Sequence, residues 1–168
     1  DVCSSDLDLS VAGRVSVRTA DGFEMRLVKF DDALMRLPNL AIHMNREVND
    51  KGLVLNKQTE LPLIFGETQA GVEAEQQFLS HIAQAIQADV KDILSFELNV
   101  FDTQKGCFWG ANQEFIANSQ LDNLASCHAA LTALLAIDKP EATCVCAFFD
   151  HEEVGSESMT GASGSFLN

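Results

Sequence analysis

The stretch at residues 148–156 reads FFDHEEVGS, and it directly follows TCVCA at residues 143–147. Apolar and β-branched residues dominate TCVCA, which predicts a buried strand. Four polar, titratable residues at positions 150–153 end that strand, and Gly155 permits a turn that other residues resist. In open α/β sheets the chemistry takes place just beyond the carboxyl ends of the strands. The sequence therefore indicates a candidate site at this point.

Two adjacent carboxylates, Glu152 and Glu153, stand in that turn and repel each other. One of them could ligate a divalent metal while the other moves protons, which would make the arrangement tolerable. A solvated acidic turn after a strand is the alternative interpretation. The tetrapeptide by itself does not separate the two.

Composition places the chain among globular proteins and argues against some partners. It has 168 residues, of which 46% are hydrophobic, enough for one ordinary core or for parts of two smaller ones. The formal net charge of −14 argues against nucleic acid, because phosphate contacts need a basic surface. The sequence shows neither a stretch of transmembrane length nor a signal-peptide pattern, so we expect no membrane partner.

Five cysteines, at positions 3, 107, 127, 144 and 146, form no evident pairing framework. An odd number without a framework favours reduced thiols and a cytoplasmic location. Cys144 and Cys146 alternate along the predicted strand and would face one side of it. Two small core side chains are a better interpretation of this pair than a metal clip, which would need further ligands.

The first hundred residues are rich in predicted strands. Strands at 13–18 and 24–30 flank Asp21-Gly22, a strong turn dipeptide, and together predict a β-hairpin. Apolar residues at helical spacing predict a helix over 73–94, and alternation predicts a strand over 95–101.

The remaining residues predict a strand, a turn, a helix and a second strand, with a domain boundary near residues 104–110. The helix is expected over 121–137, with Pro140 beyond its end. His128 lies in the apolar stripe of this helix, where packing is a simpler explanation than a functional role. Residues 1–10 match no element and are left unassigned.

Asp122 and His43 each allow two interpretations. Ser119-x-x-Asp122 resembles a helix-capping pattern, so Asp122 could simply complement the helix N-terminus; alternatively, it could ligate a metal. His43 stands in the short apolar run LAIHM at residues 40–44, where a hydrogen-bonded structural histidine is commoner than a ligand. The residues taken singly leave both choices open.

Three motifs together resemble one enzyme family. They are NLAIH at residues 39–43, LDNL at 121–124 and DHEEVGS at 150–156. Their order and separations resemble those of the aspartyl aminopeptidases, the M18 family of metallopeptidases, over most of residues 11–168. EEVGS is shared with neighbouring dinuclear aminopeptidases, whereas the other two motifs narrow the resemblance to M18.

The resemblance implies a two-part α/β architecture. In that family a catalytic α/β domain is interrupted by a β-rich assembly domain, and the subunits build a hollow dodecamer. Residues 11–105 would then be most of the assembly domain, with one long helix, and residues 106–168 would return into the catalytic domain. The expected partners are peptide substrates and further copies of the chain, with neither nucleic acid nor membrane.

The resemblance also implies roles for four residues. Asp122 matches an aspartate that bridges two divalent metal ions, usually zinc, and Glu153 matches a ligand to one of them. Glu152 matches the general base, which would take a proton from a metal-activated water and pass it to the departing amine. His43 matches a histidine that reaches the active site of a neighbouring subunit. The implied reaction releases N-terminal Asp or Glu from peptides.

The match to the family is partial. The family's other metal ligands, a histidine before this segment and an aspartate and a histidine after it, have no identified counterpart in the 168 residues. The basic residue that would recognise an acidic substrate is not identifiable either. We therefore expect an incomplete, inactive fragment that carries two of five metal ligands and the base. Two alternatives remain: another dinuclear zinc aminopeptidase or deacylase, and a non-catalytic assembly module.

Overall fold

The computed structural model of the chain describes residues 7–167, which fall into two compact units divided between Lys105 and Gly106. Of the unassigned tail at residues 1–10, positions 1–6 lie outside the described residues, and positions 9 and 10 belong to the first strand. Which unit serves assembly and which serves catalysis stays a prediction. Each unit is therefore described by itself.

Two strands of the first unit form the predicted hairpin. Strand β1 spans Leu9–Thr19 and strand β2 spans Gly22–Lys29, paired antiparallel and joined by a two-residue turn. Ala20 and Asp21 form the turn and Gly22 begins β2, so the turn lies one residue before the predicted Asp21-Gly22 dipeptide. β1 begins earlier than predicted because Leu9 and Val11 are buried and pair with a third strand.

That third strand, β3, spans Ile93–Asp102 and includes the predicted strand at 95–101. It pairs antiparallel with the other side of β1, which gives the sheet order β2-β1-β3. β1 is therefore the central strand of the sheet, although it comes first in the sequence.

Helix α2 spans Ala74–Ile86 and is shorter than the predicted range 73–94. It stops because Gln87 adopts a left-handed conformation, with φ at 55°, and its N–H caps the last helical turn. Val90–Asp92 then form a short 3-10 helix that leads into β3. The apolar spacing that continued through residue 93 thus spans three elements: α2, the 3-10 helix and the first residue of β3.

The hydrophobic core of the first unit lies between α2 and the sheet. Ile82 and Ile86 of the helix cluster with Val15, Val17 and Val28 of the hairpin. The side chains of Ile82 and Val15 are fully buried. Burial of one aliphatic side chain stabilises a fold by about 1.5–3 kcal/mol, so this cluster fixes the helix on the sheet.

The segment between β2 and α2 carries the NLAIH motif and little regular structure. It contains one short helix, α1, at Val48–Lys51. Two isolated β-bridges hold the segment, one between Leu9 and Met35 and one between Arg36 and Ile64. The first bridge connects the irregular segment to the start of β1, and the second joins two parts of the segment to each other.

The second unit begins with a hairpin. Strand β4 spans Cys107–Trp109 and pairs antiparallel with β5 at Phe115–Ala117. The rings of Trp109 and Phe115 lie opposite each other in the register, with centroids 4.7 Å apart. This cross-strand aromatic pair stabilises two very short strands.

Helix α3 spans Leu121–Leu135, close to the predicted range 121–137. Its apolar stripe is exposed within the second unit, with Leu124 at 53% and Leu135 at 76% exposure. His128 is exposed as well, so the prediction that it packs in a buried stripe is wrong. An apolar stripe is buried only where another element covers it, and this one is left open.

The prediction of a buried strand at residues 143–147 is wrong. These residues have no strand conformation, Val145 is 75% exposed, and Cys144 is exposed while Cys146 is partly buried. The strands of the described residues pair only in the orders β2-β1-β3 and β4-β5, which leaves this segment without a partner. A strand needs such a partner for its N–H and C=O groups. Because Cys144 is exposed, its interpretation as a core side chain is wrong as well.

The mixed α/β class expected from the sequence is confirmed. Among residues 7–167, no helix has the length and apolar character needed to cross a membrane.

Candidate active site

The candidate site is built on the loop at residues 150–164 of the second unit. His151 adopts a left-handed backbone conformation, with φ at 61°, and Glu152–Val154 then form one turn of 3-10 helix. Gly155, with φ at 96°, ends the turn, and its N–H donates to the carbonyl of Glu152 at 2.9 Å. The turn predicted at this glycine is therefore confirmed.

Backbone hydrogen bonds close the loop on itself. The N–H of Asp150 donates to the carbonyl of Thr160 at 3.1 Å, and the N–H of Ser163 donates to the carbonyl of Ser156 at 3.1 Å. Gly161 is buried, and a Cβ at its position would collide with the carbonyl of Ser156. Only glycine therefore lets the two sides of the loop approach this closely.

The ring of His151 contacts the returning side of the loop. Its Nδ1 lies 2.6 Å from Oγ of Ser158 and 3.4 Å from Oγ1 of Thr160. The backbone N–H of His151 donates to Oδ1 of Asp150 at 3.0 Å. In the sequence, His151 stands out only as a member of DHEEVGS, and no local pattern indicates its contact with Ser158.

A cleft of about 320 Å³ is lined by this loop, by α3 and by residues 146–149. The loop contributes Glu152, and the first turn of α3 contributes Asn123. The thiols of Cys127 and Cys146 also line the cleft. The spacing in the sequence paired Cys146 with Cys144, whereas the fold places Cys146 on the cleft together with Cys127.

The first turn of α3 departs from helical geometry. Asp122 has φ and ψ of −84° and 114°, Asn123 has −110° and 16°, and the peptide between them is cis. The Sγ of Cys127 donates to Oδ1 of Asn123 at 3.3 Å, which holds the asparagine side chain beside the cleft. The predicted capping pattern at Ser119 is wrong, because the cap residue is Gln120 and it makes no side-chain cap.

Three of the four predicted site residues lie at or next to this cleft. Glu152 lines it, Asp122 immediately precedes the lining residue Asn123, and Glu153 immediately follows Glu152. The side chains of Asp122 and Glu153 are exposed. Successive side chains of a 3-10 turn project about 120° apart, so the two glutamates point in different directions. The 3-10 turn at Glu152–Val154 is the element that produces this divergence.

His43 lies in the first unit, in a turn at residues 41–45. The N–H of Met44 donates to the carbonyl of Ala41 at 2.8 Å, and the N–H of Asn45 donates to the same carbonyl at 3.2 Å. The residue is exposed. An exposed turn leaves the imidazole available to another molecule.

The described residues do not assemble a metal centre by themselves. Within residues 7–167, no three His, Cys, Asp or Glu side chains come together as a ligand group. Zinc sites in proteins use at least three protein ligands. Asp122 and Glu153 offer suitable oxygen donors, but two carboxylates fall short of such a set.

A curated relative shares much of this sequence. The chain is 48% identical over 168 residues to the probable M18 family aminopeptidase 2 of Azotobacter vinelandii, and the alignment covers 96% of this chain. The same alignment covers 38% of the relative, so the chain spans less than half the length of that protein.

Solved structures share the fold. The chain matches one chain of a cryo-EM structure of the Ape4 and Nbr1 complex with a TM-score of 0.82 and 34% identity, over 98% of this chain and 35% of that one. A structure of the S. cerevisiae mApe1 dodecamer gives a TM-score of 0.70 at 20% identity, over 99% of this chain and 38% of that one. At 20% identity the second likeness concerns the fold alone.

The family follows from the sequence as a whole. A family model described as aminopeptidase I zinc metalloprotease (M18) matches residues 5–168, nearly the entire chain. The resemblance carried by NLAIH, LDNL and DHEEVGS is thereby confirmed at the level of the family. The chain belongs to the M18 family of zinc metalloproteases.

Proposed function

We propose that this chain forms part of a metal-dependent aminopeptidase that releases acidic N-terminal residues from peptides. The observation that carries the proposal is the position of Glu152 on the wall of a cleft that Asn123, the neighbour of Asp122, also lines. Membership of the M18 family supports the reaction class.

Glu152 acts as the general base in this proposal. Its carboxylate takes a proton from the water that attacks the carbonyl of the first peptide bond, and then gives that proton to the departing amine. Its position on the cleft wall suits contact with a bound peptide. Glu153 points in a different direction and is free for a second task.

Asp122 and Glu153 would hold divalent metal ions, with Asp122 shared between two of them. The family description names zinc. When bound, such a cation polarises a carbonyl and acidifies water. Because no three ligands come together within residues 7–167, a complete centre needs donors besides these two carboxylates.

The preference for N-terminal Asp or Glu rests on the motifs NLAIH and LDNL, which narrow the resemblance to the aspartyl aminopeptidases. The net charge of −14 opposes long-range attraction of an acidic peptide. Recognition of such a substrate therefore needs a local cationic side chain at the site.

Self-association, up to a dodecamer, is the second part of the proposal. Strand β2 is an edge strand and exposes three large apolar side chains along one face: Phe23 at 67%, Met25 at 51% and Leu27 at 85%. Exposed apolar rows of this kind mark protein interfaces. In such an assembly the exposed turn with His43 would reach the active site of a neighbouring subunit.

A reducing, cytoplasmic compartment fits the thiols. Cys107, Cys127, Cys144 and Cys146 are free cysteines among the described residues. Secreted proteins more often pair their cysteines, so this state supports the proposed location.

The experiment transfers residues 7–167 into the full-length Azotobacter vinelandii relative, in place of its matching segment, and measures hydrolysis of short peptides with zinc present. We expect release of N-terminal Asp and Glu, and loss of that release after chelation of the metal. Glu152→Gln should abolish turnover, whereas Glu157→Gln, a matched change at an exposed glutamate of the same loop, should not.

Other outcomes would select the alternatives. Faster release of neutral N-terminal residues would indicate an aminopeptidase of different specificity, and cleavage of acylated amines would indicate a deacylase. A correctly assembled chimera without any hydrolytic activity would favour an assembly module.

A further inference from the structure

We propose that His151 is a positioning residue for Glu152 and Glu153. Its ring, held by Ser158 from the returning side of the loop, fixes the turn on which both carboxylates stand. The catalytic consequence rests on the proposed function, but the contact itself is measurable without any enzymatic activity.

Hydrogen bonds on three sides of His151 hold it in place. The ring Nδ1 lies 2.6 Å from Oγ of Ser158. The backbone N–H donates to Oδ1 of Asp150 at 3.0 Å, and the carbonyl accepts the N–H of Ser156 at 2.9 Å. Because His151 directly precedes Glu152, these bonds set the direction in which the 3-10 turn begins.

The left-handed backbone conformation of His151 limits which residue types can occupy position 151 without strain. At a φ of 61° most side chains are disfavoured, and Asn, Asp and His tolerate this region best after glycine. Glycine would adopt it at the lowest steric cost. The imidazole of His151, however, makes a side-chain hydrogen bond that glycine cannot make.

Burial of the imidazole ring does not explain why residue 151 is a histidine. Half of the His151 side chain is exposed, at 50%, so hydrophobic burial contributes little. Ser158 is partly buried and presents its hydroxyl to the ring. Two longer polar contacts accompany this hydrogen bond, from Nδ1 to Oγ1 of Thr160 at 3.4 Å and from Nε2 to Oδ2 of Asp150 at 3.9 Å. The bond between Nδ1 and Oγ of Ser158 is the shortest of the three.

The first test uses the chain as it is and NMR at one fixed pH. We compare His151→Asn, His151→Gly and Ser158→Ala, with His128→Asn as the matched control at an exposed histidine of the same unit. Ser158→Ala leaves the backbone of residue 151 untouched, so it removes the bond with the least risk to folding.

The proposal predicts a specific pattern of shifts. Ser158→Ala should move the ring nitrogen signals of His151 and the amide signals of residues 152–155, and His151→Gly should move the same amides. His151→Asn should preserve them, because its side-chain oxygen and nitrogen are attached to Cγ as Nδ1 is. Unchanged ring and amide signals in Ser158→Ala would overturn the proposal.

The second test measures turnover in the full-length chimera with zinc. His151→Gly and Ser158→Ala should lower kcat by roughly 10- to 100-fold with little change in KM, the usual loss when a supporting group is removed. His151→Asn should restore most of the rate. Parental kcat in His151→Gly would overturn the positioning role.

The two tests separate two kinds of failure. If the parent chimera hydrolyses no peptide, the proposed function fails, and the NMR result still decides whether His151 holds the turn. If the parent is active but the variants match it, the proposed function stands and the inference about His151 falls.

Discussion

Glu152 and Glu153 are neighbours in the chain, yet Glu152 lines the cleft of the second unit and Glu153 is not among the lining residues. The 3-10 turn at Glu152–Val154 separates their directions. Two adjacent carboxylates can therefore perform different tasks without competing for one position.

Replacement of Glu152 should remove catalysis but not metal. Glu152→Gln keeps the shape and hydrogen bonding of the side chain but loses its basic site. In the full-length chimera we expect bound metal to be retained and kcat to fall by about two to four orders of magnitude. Elemental analysis and steady-state kinetics on the same preparation check this, with Glu157→Gln as the control.

Replacement of Glu153 should act on the metal first. Glu153→Gln removes a charged ligand, so we expect weaker metal binding and partial recovery of activity in excess zinc. Parallel measurements on both glutamine variants are decisive. If Glu152→Gln lost metal while Glu153→Gln stayed loaded and inactive, the two roles would have to be exchanged.

The isolated chain should bind zinc weakly. No three ligands are gathered within residues 7–167, and a tight site needs at least three. Calorimetry with zinc, followed by elemental analysis after dialysis, should show no stoichiometric site. A tight one-to-one complex would mean that the ligands are assigned wrongly.

Replacement of His43 should lower turnover in an assembled enzyme. The residue lies in an exposed turn, so His43→Ala should leave metal content and assembly intact while it slows the reaction. Light scattering, metal analysis and kinetics together test this, with His128→Ala as a second exposed histidine. Loss of metal in His43→Ala would instead make it a ligand.

Truncation of Ile82 should destabilise the first unit. Ile82 is fully buried between α2 and the sheet, so Ile82→Ala leaves a cavity and should cost about 2–5 kcal/mol of unfolding free energy. Ile64→Ala, at a side chain that is 56% exposed, should cost clearly less. Denaturant titration of both variants makes the comparison, and equal losses would place the core elsewhere.

Local sequence patterns predicted the elements whose partners lie nearby. The hairpin of β1 and β2 needs only a turn signal and two apolar strands, and both are present. The end of α2 was missed because Gln87, rather than glycine, takes the left-handed conformation. Apolar spacing through residue 93 then concealed the change from helix to strand.

In the candidate site, too, local sequence patterns predicted some features and missed others. Glu152, Glu153 and Asp122 could be chosen from motifs, because their residue types and order are characteristic of the family. The strand predicted at 143–147 failed because composition does not reveal whether a partner strand is present. The contact of His151 with Ser158 was not predictable, since it depends on how the loop closes.

The place of β1 at the centre of its sheet has a consequence for how the chain folds. β2 joins β1 through a two-residue turn, whereas β3 returns only after the long segment that contains α2. Closing the distant pair costs more chain entropy and is the slower step. During translation, the hairpin can form while one edge of β1 still presents unpaired backbone groups. In that interval the free edge of β1 is open to strand-to-strand aggregation, and β3 covers this edge when it pairs with β1.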